Sequence, residues 1–154
     1  MIASHAAEAI GEVTGLKRGL TLDLATVSSR LFNWPDAELG RLSEAVSQSN
    51  IVLFASPTYK AAYTGILKAF LDRYPVDGLR NAIAIPVMTG ASLEHRLAPD
   101  TTLRPLLVEL GASVPTTSLY FVMTDMDKIH DLISSWLERN RSVLELLADK
   151  RASR

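Results

Sequence analysis

The chain has 154 residues, 47% hydrophobic and 21% charged, with a mean hydropathy of +0.13; that is one domain's length, with room for a sizeable core, and too apolar for a disordered chain. Sixteen Lys and Arg against 17 Asp and Glu leave a formal charge of -1, so no basic field exists to collect nucleic acid or an anionic membrane. The absence of cysteine excludes disulfides, thiolate metal sites and cysteine nucleophiles, and redox chemistry would need a bound cofactor.

The N-terminus, MIASHAAEAI, has no Lys or Arg ahead of its short apolar core, which does not resemble a secretory signal; a cytoplasmic address is expected. Ile2, Ala6, Ala9, Ile10 and Val13 recur at helical spacing, predicting a helix over 1–14 with Gly15 as its stop. Leu20, Leu22 and Leu24 alternate with polar residues, predicting a strand, and a weaker strand signal lies near Leu31. Asp36 to Gln48 places Leu39, Leu42 and Val46 on one helical face behind Asp36 as a cap. Ile51 to Ala55 is an apolar run without alternation, as expected of a central parallel strand buried on both faces. A helix over Gly65–Tyr74, with Ile66, Leu67, Phe70, Leu71 and Tyr74 inward, and a strand over Asn81–Met88 follow. The longest strongly apolar stretch, Ala82 to Met88, is far below the roughly 20 residues of a membrane span. Ser92 to Leu110 reads as a helix that Pro99 and Pro105 must break or kink. A strand over Val114–Val122 and a helix over Lys128–Asp149 behind an Asp127 cap complete the chain, which has no repeat or linker and reads as a single domain over 1–154.

Strands alternating with helices argue a doubly wound parallel α/β sheet with helices on both faces, in which ligands sit outside the carboxyl ends of the strands. Two loops occupy that position. The first is Ser56–Gly65, SPTYKAAYTG, where Pro57 stiffens the exit from the strand, Tyr59 and Tyr63 offer ring faces, and Thr64-Gly65 opens a helix whose amides could meet a ligand oxygen. The same tyrosines would equally serve to cover a core. The second is Thr89–Ser92, TGAS, where Gly90 lets backbone approach a ligand and Ser92 can cap the next helix; alone it is an ordinary strand-to-helix turn.

Together these loops resemble those of the NAD(P)H-dependent FMN reductases of flavodoxin-like fold, in particular the alkanesulfonate and methanesulfonate-utilisation branch. That branch has an apolar strand, S/T-P-V-Y-K-A-S/A-Y-S-G, then L-K and an Asp, matched by SPTYKAAYTG, Leu67-Lys68 and Asp72. It continues with P-x-x-T-G-G-S, a His and L-R/K-P, matched by Pro86, Thr89-Gly90-Ala91-Ser92, His95 and Leu103-Arg104-Pro105, and then by Leu110-Gly111-Ala112. The chain departs from the pattern at Thr58, Ala91 and Thr101. The resemblance implies FMN as cofactor and NADPH or NADH as reductant. It assigns Pro57, Thr58, Tyr59, Lys60, Tyr63, Thr89, Gly90 and Ala91 to the flavin side, with no catalytic acid, base or metal. Lys60 would meet an anionic flavin or a nicotinamide phosphate, or else be a solvated lysine. The resemblance also implies a flavin-dependent monooxygenase as recipient of reduced FMN, and a homodimer or homotetramer whose candidate contacts are Ile66–Tyr74 and Leu103–Leu110. The family begins with a strand and a phosphate-holding loop ahead of the first helix, whereas Met1–Val13 corresponds only to that helix, so this first strand is expected to be missing between Leu20–Leu24 and Ile51–Ala55. Two alternatives follow: a non-catalytic binding or oligomerisation module, or a flavin-retaining quinone or azo reductase.

Elsewhere, His5, His95 and His130 are dispersed and lack metal-ligand spacing. Glu94-His95-Arg96 reads as a surface patch, and Asp125, Asp127 and Asp131 as helix-start charges.

Overall fold

The computed structural model describes residues 2–152, with side chains through residue 147. Three parallel strands form its sheet, β1 (Ile51–Pro57), β2 (Ile83–Gly90) and β3 (Leu119–Val122), in the order β1-β2-β3. Ile51 lies opposite Ile83 and Pro57 opposite Thr89, while Val87 to Gly90 pair with Leu119 to Val122. Helices cover both faces, as a parallel sheet requires. On one face α1 (Ile2–Thr14) and α5 (Ile129–Ala152) bury Ala6, Ile10, Ile133 and Trp136 against Ile85, Val87, Leu119 and Phe121. On the other, α2 (Ala37–Ser47), α3 (Gly65–Leu71) and α4 (Arg104–Glu109) bury Leu39, Leu67, Phe70 and Leu107 against Phe54, Ala84 and Met88.

The helix ends follow local chemistry. Gly15 adopts φ +68 and donates its N–H to Gly11 O at 2.8 Å, closing α1 in the left-handed conformation that glycine permits without strain. Asp36 caps α2, accepting from Glu38 N at 3.1 Å and Leu39 N at 3.0 Å while pairing with Arg30 at 2.7 Å. The Leu39 amide, and Arg30 with it, hold the Asp36 carboxyl below the ordinary carboxylate range. A lowered folded pKa stabilises the cap above the unfolded value of about 3.9, and that contribution disappears as pH falls through the folded value. Acid titration should therefore loosen the first turn of α2 only below about pH 4. Amide exchange at Glu38 and Leu39 checks this, and Asp36→Asn should abolish the pH dependence.

Several sequence expectations are corrected. No strand forms over Leu20–Leu24: residues 15–23 are irregular, and Leu24–Arg30 is a 3-10 helix capped by Asp23. Alternating leucines make a strand only where a ladder partner reaches them, and none does here. The weaker strand signal near Leu31 also fails, because that residue terminates the same 3-10 helix and is buried. The Ile51 run, expected at the sheet centre, is an edge strand; β2 holds the centre. The third helix stops at Leu71 rather than Tyr74, because Pro75 disfavours helical backbone at the residue before it. The second strand is displaced by two residues, with Ala82 N–H bonding Leu79 O at 2.8 Å in a turn.

Ser92–Leu110 is broken as the prolines demand, into a 3-10 turn at Leu93–His95, a π-helical turn at Pro99–Leu103, and α4. The last strand is shorter than expected. Pro115 has no N–H, and the Arg104 guanidinium takes the carbonyls of Val114 at 2.7 Å and Thr116 at 2.8 Å that a ladder would have used. Asp127 does not cap α5, since it lies inside a 3-10 helix over Met123–Lys128. Asn140 and Trp136 secure α5 instead. Asn140 accepts from Thr117 N at 3.0 Å and donates to Thr117 Oγ1 and Trp136 O, and the Trp136 indole donates to Thr117 O at 2.8 Å.

Candidate functional site

At the carboxyl ends of β1 and β2 the two predicted loops meet. The register places Pro57 beside Thr89, and Thr58 N donates to Thr89 O at 2.7 Å, so the ladder carries the loops out of the sheet as one unit. Ser56 ties the first loop at its base: its buried hydroxyl accepts from Thr64 N at 2.9 Å, while Thr64 Oγ1 accepts from Leu67 N at 3.4 Å to cap α3. Ser56 was not singled out in the sequence as a site residue. Its signals in the sequence are its place at the strand's end and at the head of SPTYKAAYTG.

Between these anchors the chain makes a tight reversal. Tyr59 and Ala62 exchange backbone hydrogen bonds at 2.9 and 3.2 Å, and the two residues at the tip, Lys60 (φ 52) and Ala61 (φ 62), are both left-handed. Such a turn ordinarily uses Asn-Gly, because a side chain in this region costs of order 1–2 kcal/mol per residue. Ala61→Gly should therefore raise the unfolding free energy by about 1 kcal/mol, after the extra freedom of the unfolded glycine is subtracted, as read from the urea midpoint. The strained turn holds Tyr59 outward at 68% exposure. Tyr63, two residues past the tip, packs half-buried against the core instead. Lys60 and Ala91 are exposed, and Thr58, Thr89 and Gly90 are half-buried.

The second loop is shaped from β3. Tyr120 Oη donates to Ser92 O at 2.9 Å, and a Cβ on Gly90 would lie 1.9 Å from that same oxygen. Gly90 is thus required for space: only backbone fits beneath the tyrosine. Tyr120 is a shaping residue that the sequence did not reveal, since nothing local connects it to a loop some thirty residues away. Ser92 caps Leu93–His95, accepting from Glu94 N at 3.4 Å.

One polar atom here is unsatisfied. Thr58 Oγ1 is buried without a hydrogen-bond partner, a costly condition in a folded protein, at the seam between the loops. Together with the side-chain-free edge at Gly90 and the outward ring of Tyr59, this hydroxyl fits a flat heteroaromatic group with polar edges. Lys68, on the outer side of α3, bonds Asp72 at 2.5 Å, which raises its amine above the ordinary lysine range and commits it to that pair. The Glu94-His95-Arg96 segment is exposed, as expected of a surface patch. The rings of His5 and His130, distant in sequence, meet edge-on at 5.3 Å.

The parallel three-layer fold with its loops at the carboxyl ends of the strands is flavodoxin-like. The chain belongs to the NADPH-dependent FMN reductase family, whose model matches residues 2–126. It is 39% identical over 74 residues to the FMN reductase (NADPH) of Escherichia coli K12, covering 48% of this chain and 39% of that one. It is 31% identical over 112 residues to the NADH-dependent FMN reductase SfnF of Pseudomonas putida, covering 73% and 60%. Among solved structures, an oxidoreductase from Corynebacterium diphtheriae superposes with a TM-score of 0.80 at 26% identity, covering 96% of this chain and 85% of that one. The apo form of the NADH:FMN oxidoreductase EmoB superposes at 0.76 and 29% identity, covering 95% and 81%. The chain spans between about a third and three fifths of the length of the curated relatives it matches. Among the described residues, no helix is long and apolar enough to cross a membrane.

Proposed function

We propose that this protein reduces FMN with NADPH or NADH in the cytoplasm and releases reduced flavin to a flavin-dependent monooxygenase. The observation that carries this reading is the joining of the two loops at Pro57, Thr58 and Thr89, beside the orphaned Thr58 hydroxyl and the exposed Tyr59 ring. The relatives' names support the same chemistry. The reaction, NAD(P)H + H+ + FMN → NAD(P)+ + FMNH2, moves a hydride between the two cofactors, whose own ring chemistry supplies it.

The work left to the protein is binding and orientation. In this reading Pro57, Thr58, Thr89, Gly90 and Ala91 form the rim that receives the flavin. Tyr59 offers its ring face, and Lys60 faces a phosphate or an anionic flavin. Tyr63 acts from behind, bracing the loop against the core. A Tyr59→Ala variant should fold normally, because the ring is exposed, and should weaken FMN binding about five- to tenfold, the loss of roughly 1 kcal/mol of aromatic contact. Fluorescence quenching of FMN measures it.

The test of the function is FMN titration of the purified chain, followed by NADH and NADPH oxidation with and without added FMN. Flavin-stimulated oxidation supports the reading; neither binding nor stimulated turnover rejects it for this chain. Turnover with flavin that stays bound through gel filtration would instead indicate a flavin-retaining reductase of a second substrate.

We infer that copies of the chain associate through Leu93, Leu97 and Val108, which are 59, 60 and 55% exposed. The inward faces of α3 and α4, anticipated as contacts, are spent on the core through Leu67, Phe70, Leu103 and Leu107. Leu97→Arg should lower the sedimenting mass if these side chains form the contact.

A further inference from the structure

Two imidazoles meet where α1 packs on α5, and neither belongs to the two loops given to the flavin. The seam between these helices is fixed by buried Ala6 and Ile10 of the first and Ile129, Ile133 and Trp136 of the second. His5 precedes Ala6 and His130 follows Ile129, so each ring stands one residue from an anchored position. The ring centres are 5.3 Å apart and their planes are inclined by 71°. His5 is half-buried and His130 exposed, so the pair is open to solvent on one side. We propose that His5 and His130 form a two-imidazole chelate for a first-row divalent transition metal, Cu2+ before Zn2+, that pins α1 to α5.

The separation suits one ion held between two rings. A metal about 2.0–2.1 Å from a ring nitrogen lies about 3.2 Å from the ring centre, and with the two bonds at about 90–110° the centres stand about 4.5–5.2 Å apart. The observed 5.3 Å meets that spacing with the backbone left in place. The edge-on rings need only rotate about χ2, a soft torsion for His, to turn one nitrogen of each toward the ion. His130, exposed, has room for that rotation. The two backbones stay where the core holds them, and ligands carried on packed helices are positioned more sharply than ligands on loops.

The donors specify the ion. Neutral imidazole suits Cu2+, Zn2+ and Ni2+, with copper the tightest of the divalent series, whereas Mg2+ and Ca2+ require oxygen ligands. Among the described residues no third His, Cys, Asp or Glu is placed to join the pair, so water completes the coordination and the site is open rather than structural. The surrounding charge favours a cation: Asp127 and Asp131 flank His130 in sequence and are exposed, while Lys128 is drawn to Asp125 at 3.6 Å. An edge-on aromatic contact would stabilise the seam without any metal, but phenyl rings supply that contact equally well. Only nitrogen lone pairs bind an ion, and this separates the two roles. Ligand spacing along a single helix could not show the pair, because each helix contributes one imidazole.

The experiment uses the untagged 154-residue protein, freed of metal with a chelator, and CuCl2, ZnCl2 and MgCl2 as probes. Isothermal titration should show one Cu2+ per chain, with Zn2+ at least about tenfold weaker and Mg2+ silent. His5→Phe and His130→Phe keep the ring contact and should each weaken Cu2+ binding about tenfold or more, the loss of one donor of two. His95→Gln should leave binding unchanged. Electron paramagnetic resonance of Cu2+ on the unaltered protein should show superhyperfine splitting from two imidazole nitrogens, a readout that depends on no variant folding. Saturating Zn2+ should raise the urea midpoint of the unaltered protein and of His95→Gln, but not of either Phe variant. The proposal is overturned if neither ion saturates at one per chain, if either Phe variant binds Cu2+ as tightly as the parent, or if the resonance shows a single nitrogen. Cu2+ binding that raises the sedimenting mass to that of a dimer would assign the ion to a bridge between copies and overturn the chelate within one chain.

Discussion

Gly90→Ala should weaken FMN binding by roughly five- to a hundredfold while leaving the sheet assembled. The added methyl would stand 1.9 Å from Tyr120 Oη and 3.0 Å from Cζ, a contact that no small adjustment relieves. Either the tyrosine swings away and loses its 2.9 Å hydrogen bond to Ser92 O, or the Thr89–Ser92 loop lifts off β3. Overpacking of this kind costs about 1–3 kcal/mol, and each 1.4 kcal/mol placed on the binding-competent loop is a factor of about ten in affinity. The backbone at Gly90 is not left-handed, so the effect is one of space alone. That gives a discriminating check: Gly90→Ala combined with Tyr120→Val removes the colliding ring and should recover much of the loss. FMN titration of the two single variants and the double variant measures the coupling, which should be strongly non-additive. Independent losses that simply add would mean that Tyr120 does not shape this loop.

Trp136→Ala should be the most destabilising single substitution considered, lowering the unfolding free energy by about 3–5 kcal/mol. The side chain is 1% exposed and packs between α1, α5 and the sheet, and its indole holds Thr117 O at 2.8 Å. Removing it leaves a cavity and an unpaired carbonyl just ahead of β3. Against a typical total of 5–15 kcal/mol, the loss is large enough to populate unfolded chains near physiological temperature. Trp136→Phe keeps most of the packing and should lose only about 1–3 kcal/mol, mainly the indole hydrogen bond and part of the ring volume. Urea unfolding monitored by circular dichroism compares the two; equal effects would mean that packing volume matters little at this position.

How far the sequence could be read depended on the range of the forces involved. Asp36 as a helix cap, Gly15 as a stop and a departure from regular α-helix around Pro99 and Pro105 follow from a residue and its immediate neighbours; the structure shows all three, the last as a π-helical turn at Pro99–Leu103 that runs into α4. The apolar runs at Ile51 and Ala82 marked parallel strands, but the burial on both faces expected of such runs holds only for β2, while Ile51, Val52 and Leu53 of the edge strand β1 stay half-buried. Strand limits were less legible: the Val114–Val122 strand was shortened by Pro115 and by a guanidinium from α4. The Leu20–Leu24 expectation failed because period-two alternation records which side chains want cover, not whether a neighbouring backbone is present to pair.

The site divides in the same way. Composition and order in SPTYKAAYTG and TGAS marked both loops and carried the family resemblance, since these contacts are made by residues a few positions apart. Only the folded chain showed that Thr58 and Thr89 are bonded, that Tyr59 faces outward while Tyr63 turns to the core, and that Tyr120 dictates glycine at position 90. Local patterns persist in a linear sequence because their partners are encoded beside them. The meeting of His5 with His130 and the fit of Gly90 under Tyr120 arise from packing between distant segments, whose partners are chosen only when the layers close.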